Sequence, residues 1–583
     1  MEELKLEGVW KIEKTEFKGE LHIIKNKKMI RLVLKEKNSD SFFNEKDFHD
    51  KLDIITGKTF LHDVNISLLY CKTLRRNLNF STGITTYLID CKYCIYGLHF
   101  KNIDDVLFNK LQIRLTNTME WSKLSGFTSK RGNKKIIEKI EYSFQKKITY
   151  IINENIKLEI VPYFGGGSYY LNSENILLKQ HVKINIICKR LERFDSIIEE
   201  LNKFIALIEF STREKINIVE INGFKNSKFY TIPNCRRRDY IPYRIYFYNE
   251  VDIKNDDDEI NRRDRHFICD LNDICKANAL QNWYNKYDDL KPIIDSYRKN
   301  LDNFEYFNEI PESEIFLNLT KSLEFYHTRF IAESLEEYNT IISNKLENAL
   351  SANKDIINNF IYDDNQQQED YVLLKNRLFH LFIEDMPISF FENVNNIMNF
   401  VNSVVDTRHY YTHYNKSKQF KAMKGFELSL SNILLQTILE CFILKELRFD
   451  SSFINNHRRN SWSQLKKFDI PRQEMKYHEK YKKIEMNTSI ENILKIIIKD
   501  YDLGTLLNYN ILECDDDDLY VTITTDKNKS HIIRFFSKSK TNDDCLEIIN
   551  ANKSKLIYTK KNFYTIYYFY GKYRIIIYKN SIH

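Results

Sequence analysis

PESEIFLNLTKSLEFYHTRFIAESLEEYNTIISNKLENAL, residues 311–350, is where the sequence changes its period. It opens on a proline and two glutamates, residue types that suit the first turn of a helix, where backbone N–H groups are free and the dipole favours negative charge. Apolar side chains then recur at helical spacing, so the stretch is read as one long helix. The loop IYDDNQQQED (361–370) precedes YVLLKNRLFHLFIEDM (371–386), ISFFENVNNIMNFVNSVVD (388–406) and KQFKAMKGFELSLSNILLQTILECFILKELRF (418–449). Four long helices with short connections predict an all-α bundle over 311–455.

Upstream, residues 1–300 read as a β-rich domain. LHIIKNKKMIRLVLKEK (21–37) and KKITYIINENIKLEIVPYF (146–164) place β-branched and aromatic residues around Asn-containing turns, the pattern of hairpins. One helix interrupts, RFDSIIEELNKFIALIEF (193–210), and strand-like INIVEI follows at 216–221. NEVDIKNDDDEINRRDRH (249–266) reads as an exposed acidic loop, since its spacing lacks the alternating oxygen ligands, glycine and closing glutamate of a calcium loop. Downstream, residues 456–583 read as a small α+β region. SIENILKIIIKDY (489–501) is helical in pattern, and 518–538 and 554–579 are hairpin candidates. The expected class is therefore α+β: strands, then a helical bundle, then a small mixed extension.

Composition narrows the function. The chain has 583 residues, with 88 Lys and Arg against 81 Asp and Glu, a net charge of +7. A histone-like polycation is excluded, while a local basic surface is not. With 43% hydrophobic and 14% aromatic residues there is enough apolar material for packed cores. Only 14 glycines and 7 prolines are present, so turns must lean on Asn and Asp. The charged start MEELKLEGVWKIEK is no export signal, no run of about 18 apolar residues is found, and the ten cysteines stand mostly singly. Reduced, buried thiols and a cytoplasmic location are expected, with no membrane contact.

Several motifs fail on spacing. Thr56-Gly57-Lys58-Thr59 ends like a phosphate-binding loop, but the required upstream glycine is Leu52. Gly165-Gly166-Gly167-Ser168 lacks a dinucleotide fingerprint and reads as a tight loop. Cys91 and Cys94 form one CxxC without a second pair and read as buried strand cysteines. No catalytic metal or cofactor is suggested.

The stretch with chemical content is Asp406-Thr407-Arg408-His409-Tyr410-Tyr411-Thr412-His413-Tyr414, at the end of the third bundle helix. A permanently charged guanidinium can hold a phosphate and stabilise charge building on it, and an imidazole can move protons near neutral pH. Five residues apart on an unbroken helix they diverge by about 140°. They face one cavity if the helix loosens after Arg408. Tyr410, Tyr411 and Tyr414 offer stacking faces to unpaired bases, and Lys416, Lys418, Lys421 and Lys424 can contact phosphates. The plain alternative is a surface Arg and His at a helix end.

RHYYTH (408–413) fits the R-x(4–6)-H motif of HEPN-domain ribonucleases. VVDTRHYYTHY (404–414) and SLEFYHTRF (322–330) resemble the HEPN domain of ApeA-type anti-phage defence proteins. LEGVWKIEKTEFKGELHI (6–23), LDIITGKTFLHDVNISLLYC (52–71) and GLHFKNIDDVLFNKLQIRLTNTMEWSK (97–123) resemble the ApeA amino-terminal domain. One departure is His409, where the family more often has Asn. The resemblance implies a metal-independent endoribonuclease acting in abortive infection, on host RNA with tRNA among the candidates, through a homodimer in which two motifs meet. It implies Arg408 and His413 as catalytic, and Asp406, His409, Tyr411 and Glu324 as supporting groups; Asp406 can equally cap a helix and Glu324 lie on a helix surface. The alternative within the resemblance is a HEPN bundle that only binds nucleotides, RNA or a partner. A phage-derived trigger is expected, and the β-rich domain is expected to restrain the nuclease. Arg236-Arg237-Arg238 and Arg262-Arg263 are basic spots in that domain which can also meet RNA.

Overall fold

The computed structural model describes residues 3–12, 15–24, 29–37, 51–79, 84–131, 137–168, 177–225, 229–231, 238–248, 267–301, 310–348, 371–385, 394–414, 418–467, 505–513, 519–525, 530–537, 567–570 and 573–579. The acidic stretch 249–266, the arginines at 236, 237, 262 and 263, and the expected helix 489–501 lie outside these residues. The chain forms two compact units. One comprises Met1–Phe420 and Ile438–Ile454, the other Lys421–Thr437 and Asn455–His583.

The first unit begins with β1 (Glu3–Ile12), β2 (Thr15–Ile24), β3 (Met29–Lys37), β4 (Lys51–Thr59), β5 (Asn65–Asn79) and β6 (Ile84–Tyr96). These six close into a barrel, because β6 pairs with β3 on one edge and β5 on the other, and β1 joins β2 to β4. Alternate side chains fill it, among them Trp10, Phe17, Leu21, Leu32, Ile66 and Ile89, all nearly or fully buried. Each such side chain stabilises the fold by roughly 1.5–3 kcal/mol relative to leaving it exposed. The Thr56–Thr59 stretch belongs to β4, where Gly57 lies opposite Trp10. A Cβ at Gly57 would collide with the Trp10 ring. The residue is glycine because an indole fills its place, and no phosphate loop exists there.

Beyond Asp90, β6 leaves β3 and pairs with β16 (Tyr243–Phe247) at Tyr93–Ile95. This fork continues the sheet through β13 (Ile218–Phe224), β7 (Leu107–Leu115), β12 (Leu177–Arg193), β11 (Ile156–Ser168) and β10 (Ile148–Ile151). The short pairs β8–β9 (Phe127–Arg131, Ile137–Tyr142) and β14–β15 (Phe229–Thr231, Arg238–Tyr240) complete the β-rich part. Both expected hairpins are present, as β2–β3 and β10–β11. Gly165–Ser168 is not a loop: it extends β11, with a register shift between Phe164 and Gly166. Six of the seven described cysteines are buried, Cys91 and Cys94 among them, and Cys275 is exposed.

The helices begin with α1 (Thr118–Ser122) and α2 (Phe194–Thr212). The expected helix 193–210 is α2, and its Ile197, Leu201, Phe204, Ile205 and Ile208 are buried. Then come α3 (Leu271–Lys276) and α4 (Ala279–Leu301), where the sequence had suggested mostly strands. Pro292 lies inside α4, a residue normally read as a helix breaker. The single helix expected over 311–350 is two, α5 (Glu312–Phe330) and α6 (Leu335–Asn348). The Glu337 carboxylate accepts from the backbone N–H groups of Glu333 and Ser334, fixing the break as a new helix start. After α7 (Leu374–Asp385) comes α8 (Val394–His413), then α9 (Phe426–Glu446) and α10 (Ser451–Lys467). By length and composition α9 could cross a membrane, but most of that span is buried in protein.

In the second unit, β17 (Leu506–Glu513), β18 (Leu519–Thr525), β19 (Ser530–Ser537), β20 (Tyr567–Tyr570) and β21 (Tyr573–Lys579) form an antiparallel sheet in the order β17-β18-β19-β21-β20. The hairpins expected at 518–538 and 554–579 are its β18–β19 and β20–β21 pairs, as far as the described residues reach.

Candidate active site

Helix α8 carries the Arg–His stretch without loosening. Hydrogen bonding continues past Arg408 to the turn where the Tyr414 N–H donates to the Tyr410 carbonyl at 2.6 Å, and Tyr414 ends the helix in the left-handed region at φ 48°. The helix expected over 388–406 runs on to His413, and the loosening after Arg408 that would turn both groups to one cavity is not found. Arg408 and His413 stay about 140° apart around the axis, and one chain does not bring them together.

Their surroundings differ accordingly. Ile397, Val401 and Val404 form the buried stripe of α8, and Arg408 continues it four residues on. Its half-buried guanidinium points across to α5 and donates to the Glu324 carboxylate at 2.8 Å. His413 is exposed, as is His409 one turn before it, and the two imidazoles stack with centroids 6.3 Å apart. Helix α8 thus presents an arginine on its inner face and two histidines on its outer face.

The supporting residues sort with equal clarity. Asp406 caps nothing: it lies inside α8 and accepts from the Lys418 ammonium at 2.5 Å, which commits Lys418 to a carboxylate. Thr407 is fully buried, its hydroxyl donating to the Ser403 carbonyl. Tyr410 meets Tyr411 and Tyr414 edge to face, at 5.1 and 5.8 Å between centroids. Burial, then Tyr410 and Tyr414, raise the Tyr411 phenol above its ordinary range. Tyr414 is 70% exposed and offers an open ring face. Lys416 lies outside the described residues, and Lys421 and Lys424 belong to the second unit. A cavity of about 290 Å³ lined by Asp288, Asp289, Phe325, Thr328, Arg329 and Glu333 includes none of these residues.

Residues 5–283 match the family model described as ApeA N-terminal domain 1, and residues 317–453 match the one described as Apea-like HEPN. The chain is an ApeA-type HEPN protein. The match to the HEPN model spans α5 to α9, and the domain pair places the chain among HEPN-based defence proteins. No curated protein and no solved structure matches the chain.

Behind Arg408, this ApeA-type HEPN domain holds a buried polar chain that the sequence reading missed. Arg377 on α7 donates to His327 Nδ1 at 3.0 Å and to the Ala332 carbonyl at 2.9 Å, and His327 Nε2 lies 3.0 Å from His380 Nδ1. A guanidinium has no acceptor, so His327 must accept at Nδ1 and carry its proton on Nε2, which then donates to His380. Burial pulls Arg377 below the usual arginine range, and the nearby Glu324 and Tyr338 oppose that. Glu324 therefore acts on both arginines, bridged to Arg408 and favouring the charged form of Arg377 through its field. His327 stands in the SLEFYHTRF stretch three residues after Glu324, which was the available signal; its partners 50 and 53 residues on gave none.

Proposed function

We propose that this ApeA-type HEPN protein is a metal-independent endoribonuclease that acts in anti-phage defence by abortive infection. It cleaves host RNA, with tRNA among the candidates, in the cytoplasm once a phage-derived trigger releases it. The observation that carries this reading is the division of α8 into an arginine face and a histidine face. A single copy holds both chemical groups but aims them apart, so a second copy meeting it through α8 completes the site, with His413 of one protomer beside Arg408 of its partner.

RNA supplies the nucleophile. The 2′-hydroxyl already adjoins the scissile phosphate, and such proximity is worth roughly 7–11 kcal/mol in well-oriented cases. The 2′ oxygen bonds to phosphorus as the bond to the 5′ oxygen breaks. His413 takes the 2′ proton or supplies one to the leaving 5′ oxygen, with the motif of the other copy in the complementary role. Arg408 holds the phosphoryl oxygens as charge builds, and Glu324 orients it. His409, Tyr411 and Asp406 support the motif, while Tyr410 and Tyr414 receive unpaired bases.

The test is purified full-length protein with total RNA in EDTA. Cleavage leaving 2′,3′-cyclic phosphate and 5′-hydroxyl ends is expected. Arg408→Ala and His413→Ala should each abolish it while leaving the protein folded, and the double variant should be scarcely worse than either single. Products with 5′-phosphates, or unchanged cleavage by Arg408→Ala, would overturn the mechanism. RNA that is bound and never cut would favour the non-catalytic HEPN module.

A further inference from the structure

Beyond the barrel, the sheet has a covered face and a polar one. Leu111, Ile113, Ile184, Ile186 and Ile221 all lie on one side of the pleat and are fully buried. Pairing places Arg114 opposite Lys183 and Glu220, Gln112 opposite Asn185 and Asn222, and Lys110 opposite Phe224, all on the other side. The next strand, β11, adds Lys157, Glu159 and Tyr163, with Lys147 reaching Glu159 from beside β10, and Arg244 comes from β16.

On this polar side stand six cations, Lys110, Arg114, Lys147, Lys157, Lys183 and Arg244, and two carboxylates. Both carboxylates are engaged. Glu159 takes Lys147 at 2.8 Å and Lys157 at 3.2 Å, and Glu220 takes Arg244. Among the described residues neither Lys110 nor Lys183 forms an ion pair. Lys110 lies over the Phe224 ring at 4.9 Å, and Lys183 over Tyr163 at 4.4 Å while donating to the Gln112 amide. Tyr163 is 47% exposed and packs on His181 at 4.9 Å. Burial first, then Lys183 and Arg114, push the His181 imidazole down to about 4, and burial lowers Lys110 and Lys183, which Glu159 and Glu220 respectively oppose.

We propose that this face, centred on Lys110, Arg114 and Lys183 with Tyr163 beside them, binds single-stranded nucleic acid. The extent of the charge favours a polymer over a single anion. From β11 to β16 it spans about 19 Å across the strands, and from Lys110 to Arg114 about 13 Å along one, enough for several consecutive phosphates. An antiparallel sheet with basic groups around a half-exposed ring suits unpaired bases, which stack on aromatic faces while cations follow the backbone. The assignment goes beyond the nuclease reading and holds whether or not α8 cleaves.

The test is fluorescence anisotropy of a 5′-labelled 20-nucleotide single-stranded RNA, and of its DNA and duplex counterparts, with full-length protein, wild type and Arg408→Ala, at several salt concentrations. Cleavage is followed on a separate gel, so failure of the nuclease reading leaves the binding result intact. Lys110→Glu with Lys183→Glu should weaken single-strand binding at least ten-fold. The milder Lys110→Gln with Lys183→Gln, checked for an unchanged melting temperature, should make the salt dependence shallower by about 1.4, two phosphates at roughly 0.7 each. Tyr163→Ala should cost about ten-fold. Control reversals at exposed Lys101 and Lys445 should change little. Unchanged affinity in the Gln pair, equal losses in the control pair, or a preference for duplex would each overturn the proposal.

Discussion

At the scale of single residues, His181 carries a sign that can be read in solution. Its imidazole titrates near 4 in the folded chain against an ordinary value of 6.5, because burial and then Lys183 and Arg114 disfavour the cation. Between those two values the unfolded chain binds a proton that the folded chain refuses. Stability from this group is thus present above pH 6.5 and lost as pH falls towards 4. His181→Gln should flatten the fall in melting temperature over that window relative to wild type; an unchanged slope would place the acid sensitivity elsewhere. Arg408 makes a related point about reading a sequence. The pair five residues apart was visible as chemistry, but its inward direction followed from Ile397, Val401 and Val404, a stripe whose continuation is Arg408. The motif named the groups, and the periodicity around it held the geometry.

At the scale of elements, strands flanking local turns were the easiest to recognise, since hairpin partners are neighbours in sequence. What escaped was set by distant contacts. Helix α4 contains Pro292 and reads poorly alone, yet Trp283, Leu290, Ile293, Ile294 and Tyr297 are buried along it, and the Trp283 indole donates to the Lys203 carbonyl on α2 at 2.8 Å. Tertiary packing overrides local propensity there. The break between α5 and α6 is a different case, a local capping box of Ser334 and Glu337 that the continuous helical pattern over 311–350 concealed. Gly57 shows the opposite case, a residue in a motif that fails on spacing and that is glycine for space. Gly57→Ala should destabilise the barrel by about 1–3 kcal/mol through collision with Trp10, measured by urea unfolding. A neutral result would mean the Trp10 ring shifts freely, contrary to its complete burial.

At the scale of the whole first unit, the β-rich part and the bundle are tied by buried charge. Glu440 on α9 is fully buried, accepts from Arg213 Nε at 2.8 Å and from the second Arg213 nitrogen, and accepts from the Tyr297 hydroxyl at 2.9 Å. Glu209 on α2, also fully buried, pairs with Arg298 and accepts the Ile216 N–H at 3.2 Å. Removing one partner of such a pair leaves a charge in the interior, at about 3–5 kcal/mol. Arg213→Met should therefore lower unfolding stability by that order, while Arg193→Met, an exposed cation paired to exposed Asp104, should stay within about 1 kcal/mol. Equal effects would deny the buried pair its role. The same geometry bears on the proposed restraint by the amino-terminal half: a bundle expressed without it would keep Glu440 and lose Arg213 and Tyr297.

Strand β6 has a consequence of a different kind. It pairs with β5 along most of its length, with β3 up to Asp90, and with β16 from Tyr93. Inserting or deleting one residue within it would turn every later side chain to the opposite face for each neighbour at once. Surface loops in general are free to lengthen. The thirteen residues of β6 are not, and the spacing between barrel and sheet is a fixed gauge to which any change in either must conform.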